Sequence, residues 1–152
     1  MKLAVSACLL GVPCRYDGRS KADDDLVALL RDHEVVKVCP EVMGGLKIPH
    51  PANEIQSLVG ESGHCRVVDK AGADNTDAFY EGARKARDAA CSAGCTHAIL
   101  KAKSPSCGVG FVYDGSFTGT LVPGMGIAAQ MMDEVGISVM TEKDAKKFLQ
   151  NI

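Results

Sequence analysis

Tryptophan is absent from these 152 residues, and aromatic residues make up only 5% of them. A surface for stacking the bases of a nucleic acid would have little to build from. A basic surplus is missing too. The 17 Lys and Arg stand against 19 Asp and Glu, a formal net charge of −2, which argues against phosphate-backbone binding as the main task. Long apolar runs are also lacking. The stretch over residues 3–10 is interrupted by Ser6 and soon broken by Gly11 and Pro13. It is too short to span a bilayer and has no small-residue cleavage pattern. The expectation is a cytoplasmic protein with no membrane partner and no nucleic acid as main partner, working on a small molecule.

What is present is ordinary in bulk and unusual in one residue. Hydrophobic residues make up 46% and charged residues 24%, typical of a globular chain and too apolar for a disordered one. The length suits one domain over residues 1–152 with its own core. No internal repeat or linker interrupts it. Seven cysteines are many for a reducing compartment, where disulfides are rare, and the odd number leaves at least one unpaired.

Local patterns alternate between strand and helix. Leu3-Ala4-Val5 reads as a buried strand that runs into a loop with Gly11, Pro13 and Gly18. Asp23, Asp24 and Asp25 precede Leu26, Leu29 and Leu30, predicting a helix of about two to three turns with acids in its first turn. Val35–Val38 is a second strand, closed by Cys39-Pro40. Gly44, Gly45, Pro49 and Pro51 then predict an ordered loop. Arg66-Val67-Val68 reads as an edge strand or hairpin arm. Phe79, Ala83, Ala86 and Ala90 recur at helical spacing, with Asp74 or Thr76 as cap and Gly94 as stop. The small alanine face and Gly82 suggest close packing on a sheet. Ala98-Ile99-Leu100 is a third strand, and Phe111-Val112-Tyr113 a turn-bounded strand. A helix through Ile127, Met131 and Met132 precedes a fourth parallel strand at residues 137–140. Thr141 and Asp144 open the last helix. The fold class expected is α/β, a three-layer sandwich around a mainly parallel, Rossmann-like sheet.

In such sheets ligands bind beyond the carboxyl ends of the strands. Cys8 follows the first strand, Cys39 ends the second and Cys107 lies in the loop after the third. Parallel strands would deliver all three thiols to one edge, where thiolates suit a soft metal centre. No tight Cys-x₂₋₄-Cys pair exists among them, as a closed zinc site would commonly use. Three cysteines on an iron–sulfur cluster leave one iron free as a Lewis acid. Cys14 is a fourth ligand, a redox partner or a pocket wall. Cys65, Cys91 and Cys95 read as packing residues. Glu41, two residues after Cys39, is a candidate general base or acid, against the commoner fate of an exposed glutamate. Ser104 is a candidate hydrogen-bond donor or a turn serine. Arg15 and Asp17 bind substrate or pair with each other, and His50 faces the pocket or solvent. Gly124-Met125-Gly126 before a helix offers amides to an anion.

The blocks Ser6-Ala7-Cys8-Leu9-Leu10-Gly11, Cys14-Arg15-Tyr16-Asp17-Gly18, Cys39-Pro40-Glu41-Val42 with Gly44-Gly45-Leu46, and Lys103-Ser104-Pro105-Ser106-Cys107-Gly108 resemble the signature of the DUF523 family. The resemblance runs on through Asp77, Phe79, Gly82 and Ala83 to Pro123-Gly124 and Gly126, covering essentially the whole chain. The family includes the thiouracil desulfurases, which convert 2-thiouracil to uracil. What the resemblance implies is a [4Fe-4S] cluster held by Cys8, Cys39 and Cys107, with the open iron taking the sulfur of a small thiolated substrate. Glu41 and Ser104 match residues implicated in catalysis. Cys14 falls where the family also tolerates Val and ranks below the other three as a ligand. The chain departs from the family at Pro49-His50-Pro51, where relatives often carry Pro-Arg-Pro, and at Asn53, which replaces a small residue. Two other readings of the same residues stand beside this one. One is sulfur transfer through a persulfide on Cys14 or Cys107 without a cluster. The other is a zinc-binding or redox-sensing module without turnover.

Overall fold

The computed structural model describes residues 1–59 and 65–152. Four parallel strands make the central sheet: β1 (Lys2–Ser6), β2 (Glu34–Val38), β5 (His97–Leu100) and β8 (Ser138–Thr141), in the spatial order β2-β1-β5-β8. Alternation of side chains sends each strand's residues to two different cores. Leu3, Val5 and Ile99 pack with Leu26 and Leu30 beside α1 (Asp24–Leu29) and with Ala145 and Leu149 of α5 (Glu142–Gln150). Ala4, Ala98 and Leu100 point the other way, onto Ala86 and Ala90 of α3 (Thr76–Ala93) and Ala129 and Met132 of α4 (Ile127–Glu134). This is the expected α/β architecture, with helices covering both faces of the sheet.

Helix ends follow their sequence signals. Asp23 caps α1 by accepting from Leu26 N at 3.1 Å, and its other oxygen meets Lys146 Nζ of α5 at 2.9 Å. Thr141 caps α5 through Asp144 N, and Gly94 ends α3 in the left-handed conformation. The cap of α3 is Asn75 rather than Asp74 or Thr76. Their side chains serve the turn instead: Asp74 Oδ1 accepts from Thr76 N, and Thr76 Oγ1 accepts from Val67 N. The first helix is shorter than its leucine spacing predicts, because Leu30 already belongs to its C-cap.

Two additions lie outside the sheet. An antiparallel hairpin, β3 (Asn53–Val59) with β4 (Cys65–Asp69), contains the predicted arm at Arg66–Val68. A smaller one pairs β6 (Phe111–Tyr113) with β7 (Leu121–Pro123). One short helix, α2 (Pro40–Met43), forms where sequence predicts the start of a loop. Pro40 at its first turn pre-sets helical backbone and holds the preceding Cys39 extended, at φ −138°. Among the described residues no helix is long and apolar enough to cross a membrane.

Connections β1-to-β2 and β5-to-β8 run over opposite faces of the sheet, through α1 and α4 respectively. The strand order therefore switches direction between β1 and β5, opening a crevice beyond their carboxyl ends.

Candidate active site

A cavity of about 550 Å³ occupies that crevice. Cys8 enters it from the short 3₁₀ turn after β1, Cys39 from the end of β2, and Cys107 from the loop after β5. Cys14, Glu41 and Ser104 line the same wall. The thiols come from both layers of the fold, since Cys8 and Cys14 pack with the α1/α5 core and Cys107 with the α3/α4 core. The three strand-end cysteines thus line one cavity, and Cys14 joins them from the loop after the 3₁₀ turn. Cys65 is half-buried and Cys95 buried, as packing residues should be, but Cys91 is exposed. It lies on the outward side of α3, so helical spacing alone misassigns it.

Each thiol is placed by its neighbours. The Cys39 thiol donates to the Cys14 carbonyl at 3.7 Å, and the Cys14 thiol is in hydrogen-bond contact with both Cys39 and Cys8. Cys39 stabilises the Cys14 thiolate, but the bond to Cys8 and burial outweigh that effect and push the thiol up to about 11. Cys39 is pushed further up, first by its bond to Cys14 and then by burial. Burial raises Cys107 to about 12, despite hydrogen bonds from Ser6 and Ser106. Uncharged, desolvated thiols are the opposite of an activated nucleophile. A bound metal centre would reverse that local preference, since coordination deprotonates a thiol.

The loop after β5 is held from three sides. Ser104 Oγ accepts from Ser106 N at 3.2 Å and Cys107 N at 3.1 Å, closing the turn that presents Cys107. Ser6 Oγ accepts from Lys101 N at 2.9 Å, tying the ends of β1 and β5. Glu142 at the start of α5 accepts from Ala102 N and pairs with Lys101 Nζ at 3.3 Å. The first amides of α4 also serve this loop: Ile127 N donates to Pro105 O and Ala128 N to Ser106 O. The glycine pattern before α4 therefore binds protein rather than an anion. Gly126 is required there, because a Cβ would lie 2.5 Å from the Ser106 carbonyl carbon.

Glu41, in α2, faces His50 across the cavity floor. His50 Nε2 lies 3.4 Å from Glu41 Oε1, with both side chains largely buried. The Glu41 carboxylate beside it raises the His50 pKa above the ordinary 6.5. His50 itself is not on the cavity wall; it reaches the site through Glu41. Arg15 is on the wall, whereas Asp17 sits behind it, 3.8 Å from the guanidinium. The two alternatives for this loop are thus divided, with Arg15 available to a ligand and Asp17 its partner. Sequence reasoning overlooked several wall residues: Lys21, Glu54, Lys70, Tyr113 and Phe117. Lys21 closely follows the Cys14–Gly18 block, whereas Glu54, Lys70, Tyr113 and Phe117 are brought in by the two hairpins.

The donor set suits a thiolate-ligated polynuclear centre. Three loops offer sulfur around a shared space, with Cys8 and Cys107 buried and Cys39 half-buried, which is the chemistry iron–sulfur clusters use. Among the described residues no three His, Cys, Asp or Glu side chains gather closely enough to hold a single metal ion.

The model of the 2-thiouracil desulfurase family matches residues 3–144. A chain from Bacillus subtilis (strain 168), described as the uncharacterized protein YbbK, is 35% identical over 150 residues, spanning 97% of this chain and 99% of its own. The solved structure of the [4Fe-4S]-dependent thiouracil desulfidase TudS (DUF523Vcz) superposes with a TM-score of 0.84 at 40% identity. That match covers 96% of this chain and 93% of the other.

Proposed function

Because this chain belongs to the 2-thiouracil desulfurase family, we propose that it removes sulfur hydrolytically from a thiolated nucleobase of the 2-thiouracil kind or a similar small thioamide. Water replaces sulfur at the thiocarbonyl carbon: C=S and H₂O become C=O and H₂S, with no net oxidation or reduction. The observation that carries this reading is the meeting of Cys8, Cys39 and Cys107 with Glu41 and Ser104 on one cavity wall. Those three cysteines would hold a [4Fe-4S] cluster, the cofactor on which TudS is described as dependent. Bound there, it supplies a Lewis-acidic iron for the thiocarbonyl sulfur.

The chain's own groups handle position and protons. The Glu41 carboxylate accepts a proton from the water that attacks the thiocarbonyl carbon. His50 supports it from behind, at 3.4 Å. Ser104 Oγ already accepts two backbone N–H bonds. Its own proton is free to orient the substrate or to turn to Ser106 Oγ, 3.0 Å away. Arg15 borders the substrate space, and Cys14 forms wall rather than ligand. The reaction belongs in the reducing cytoplasm, where these thiols stay reduced.

The test is anaerobic purification with iron and acid-labile sulfide assays, a visible spectrum and turnover of 2-thiouracil. About four irons and four sulfides per chain with release of sulfide is the expected result. Cys39→Ser should lose both cluster and turnover, while Cys14→Ser keeps its iron. Wild-type turnover by Cys39→Ser would overturn the mechanism. Wild-type turnover in iron-free protein would overturn the role of the cluster.

A further inference from the structure

The β6–β7 hairpin carries the loop 114–120, and Phe117 at its tip lines the cavity together with Tyr113 and Gly119. Phe117 has φ +59°. A left-handed backbone suits Gly or Asn, and a bulky aromatic held there is an outlier. Such residues persist only where their surroundings over-determine them, and they gather at ligand clamps. Here the constraint is Glu54. It belongs to β3, on the other hairpin, is only 9% exposed, and lies on the same cavity wall. Its Oε1 accepts from both Gly115 N at 3.0 Å and Phe117 N at 3.2 Å. Gly115 in turn sits against the β3 backbone, where a Cβ would meet Ile55 O at 2.8 Å. The loop's hydroxyls bond among themselves, Ser116 to Thr118 and Thr118 to Thr120. Of this loop, Phe117 and Gly119 line the cavity, and Phe117 is its one aromatic residue. From a third segment, Tyr16 adds another aromatic ring to the wall.

A buried carboxylate directed at two amides of a surface loop is an expensive way to fasten a turn. It makes sense if the loop must hold one conformation with its ring presented inward. We propose that Phe117 is a flap residue that stacks on the planar ring of the substrate, and that Glu54 is the positioning residue that latches this flap over the cavity. This rests on the desulfuration reading and narrows it. The flat face of a thiocarbonyl ring would lie against Phe117.

The experiment uses cluster-loaded protein, 2-thiouracil as probe, and the variants Phe117→Asn, Phe117→Leu and Glu54→Gln. Losing the stacked ring should raise KM by about tenfold, with the loss falling on KM rather than kcat. Leu, which keeps bulk but no ring, should not restore it. Asn tolerates φ > 0, so the melting temperature of Phe117→Asn should be retained while KM rises. A merely structural Phe117 predicts the reverse. Amide exchange at positions 115 and 117, which requires no substrate, should quicken in Glu54→Gln. An unchanged KM in Phe117→Asn overturns the flap, and unchanged exchange in Glu54→Gln overturns the latch. Absence of turnover in the wild-type holoenzyme would instead overturn the desulfuration reading, and amide exchange would still decide the latch.

Discussion

His50 has a different partner on each ring nitrogen, and its charge follows from them. Nδ1 lies 2.8 Å from Pro51 O and must donate to it. Nε2 is buried and faces Glu41. A neutral ring would aim a lone pair at that carboxylate, so the protonated form is favoured and the pKa rises above 6.5. Asn53 fixes the loop by donating to Pro51 O at 3.2 Å and accepting from Asn75 Nδ2 at 2.8 Å. The sign of the linkage follows. A group whose folded pKa is raised contributes stability that is fully present below its unfolded value, near 6.5, and lost as pH rises through the folded value. His50→Asn keeps a donor near the Nδ1 position and removes Nε2. It should cost about 1–2 kcal/mol at pH 6, and its urea midpoint should converge on that of wild type above the folded pKa. A constant difference from pH 6 to pH 9 would show that the ring's charge is not responsible. The sequence shows a histidine between two prolines, but not the carboxylate it meets, because eight residues intervene between Glu41 and His50.

At the scale of elements, the placement of Glu41 and Cys39 depends on how α2 docks on α3. The two helices touch backbone to backbone at Gly44 and Gly82. A Cβ on Gly82 would collide with the Pro40 carbonyl, and one on Gly44 with the Ala78 carbonyl. In an unencumbered helix interior Gly→Ala stabilises by about 1 kcal/mol. Gly82→Ala should instead destabilise, by about 2–4 kcal/mol, and should lower turnover by displacing α2 with Glu41. Denaturant unfolding and sulfide release on the same preparation check both, and a stabilised Gly82→Ala would refute the docking argument. The small-residue face of α3 was readable as a sign of close packing. Its partner was not, because a single turn of helix after Cys39-Pro40 has no periodicity to detect.

At the scale of the molecule, the candidate ligands come from three strand-end loops rooted in both cores. A cluster bound by the folded site and not by the unfolded chain stabilises the fold by mass action. Anaerobically reconstituted protein should therefore melt at least about 5 °C above the same protein stripped of iron, equivalent to 1 kcal/mol or more. Cys107→Ser should show no such gain on reconstitution. Equal melting temperatures for the two forms would mean that these loops do not share one centre. The cavity wall differs in charge from the chain as a whole. Arg15, Lys21, Lys70, Lys101 and Lys103 line it against Glu41 and Glu54, although the full sequence carries a net −2.

The sequence by itself determined the strands of the parallel sheet, the longer helices with several of their ends, and the three cysteines that follow β1, β2 and β5. These are local properties: side-chain periodicity, turn chemistry and the direction of a parallel strand act over a few residues, and each leaves its mark within one segment. Cys8, Cys39, Cys107, Glu41 and Ser104 could be gathered on paper because a parallel sheet sends its loops to one edge. Tertiary structure decided the rest. It put Arg15 on the cavity wall with Asp17 paired behind it, turned the amides of α4 onto the Pro105–Ser106 backbone, exposed Cys91, and set His50 behind Glu41. It also brought Glu54 and Phe117 from two hairpins onto the cavity wall. Those placements depend on contacts between segments distant in sequence, where the free energy of packing and hydrogen bonding belongs to the pair and neither segment carries a sign of the other.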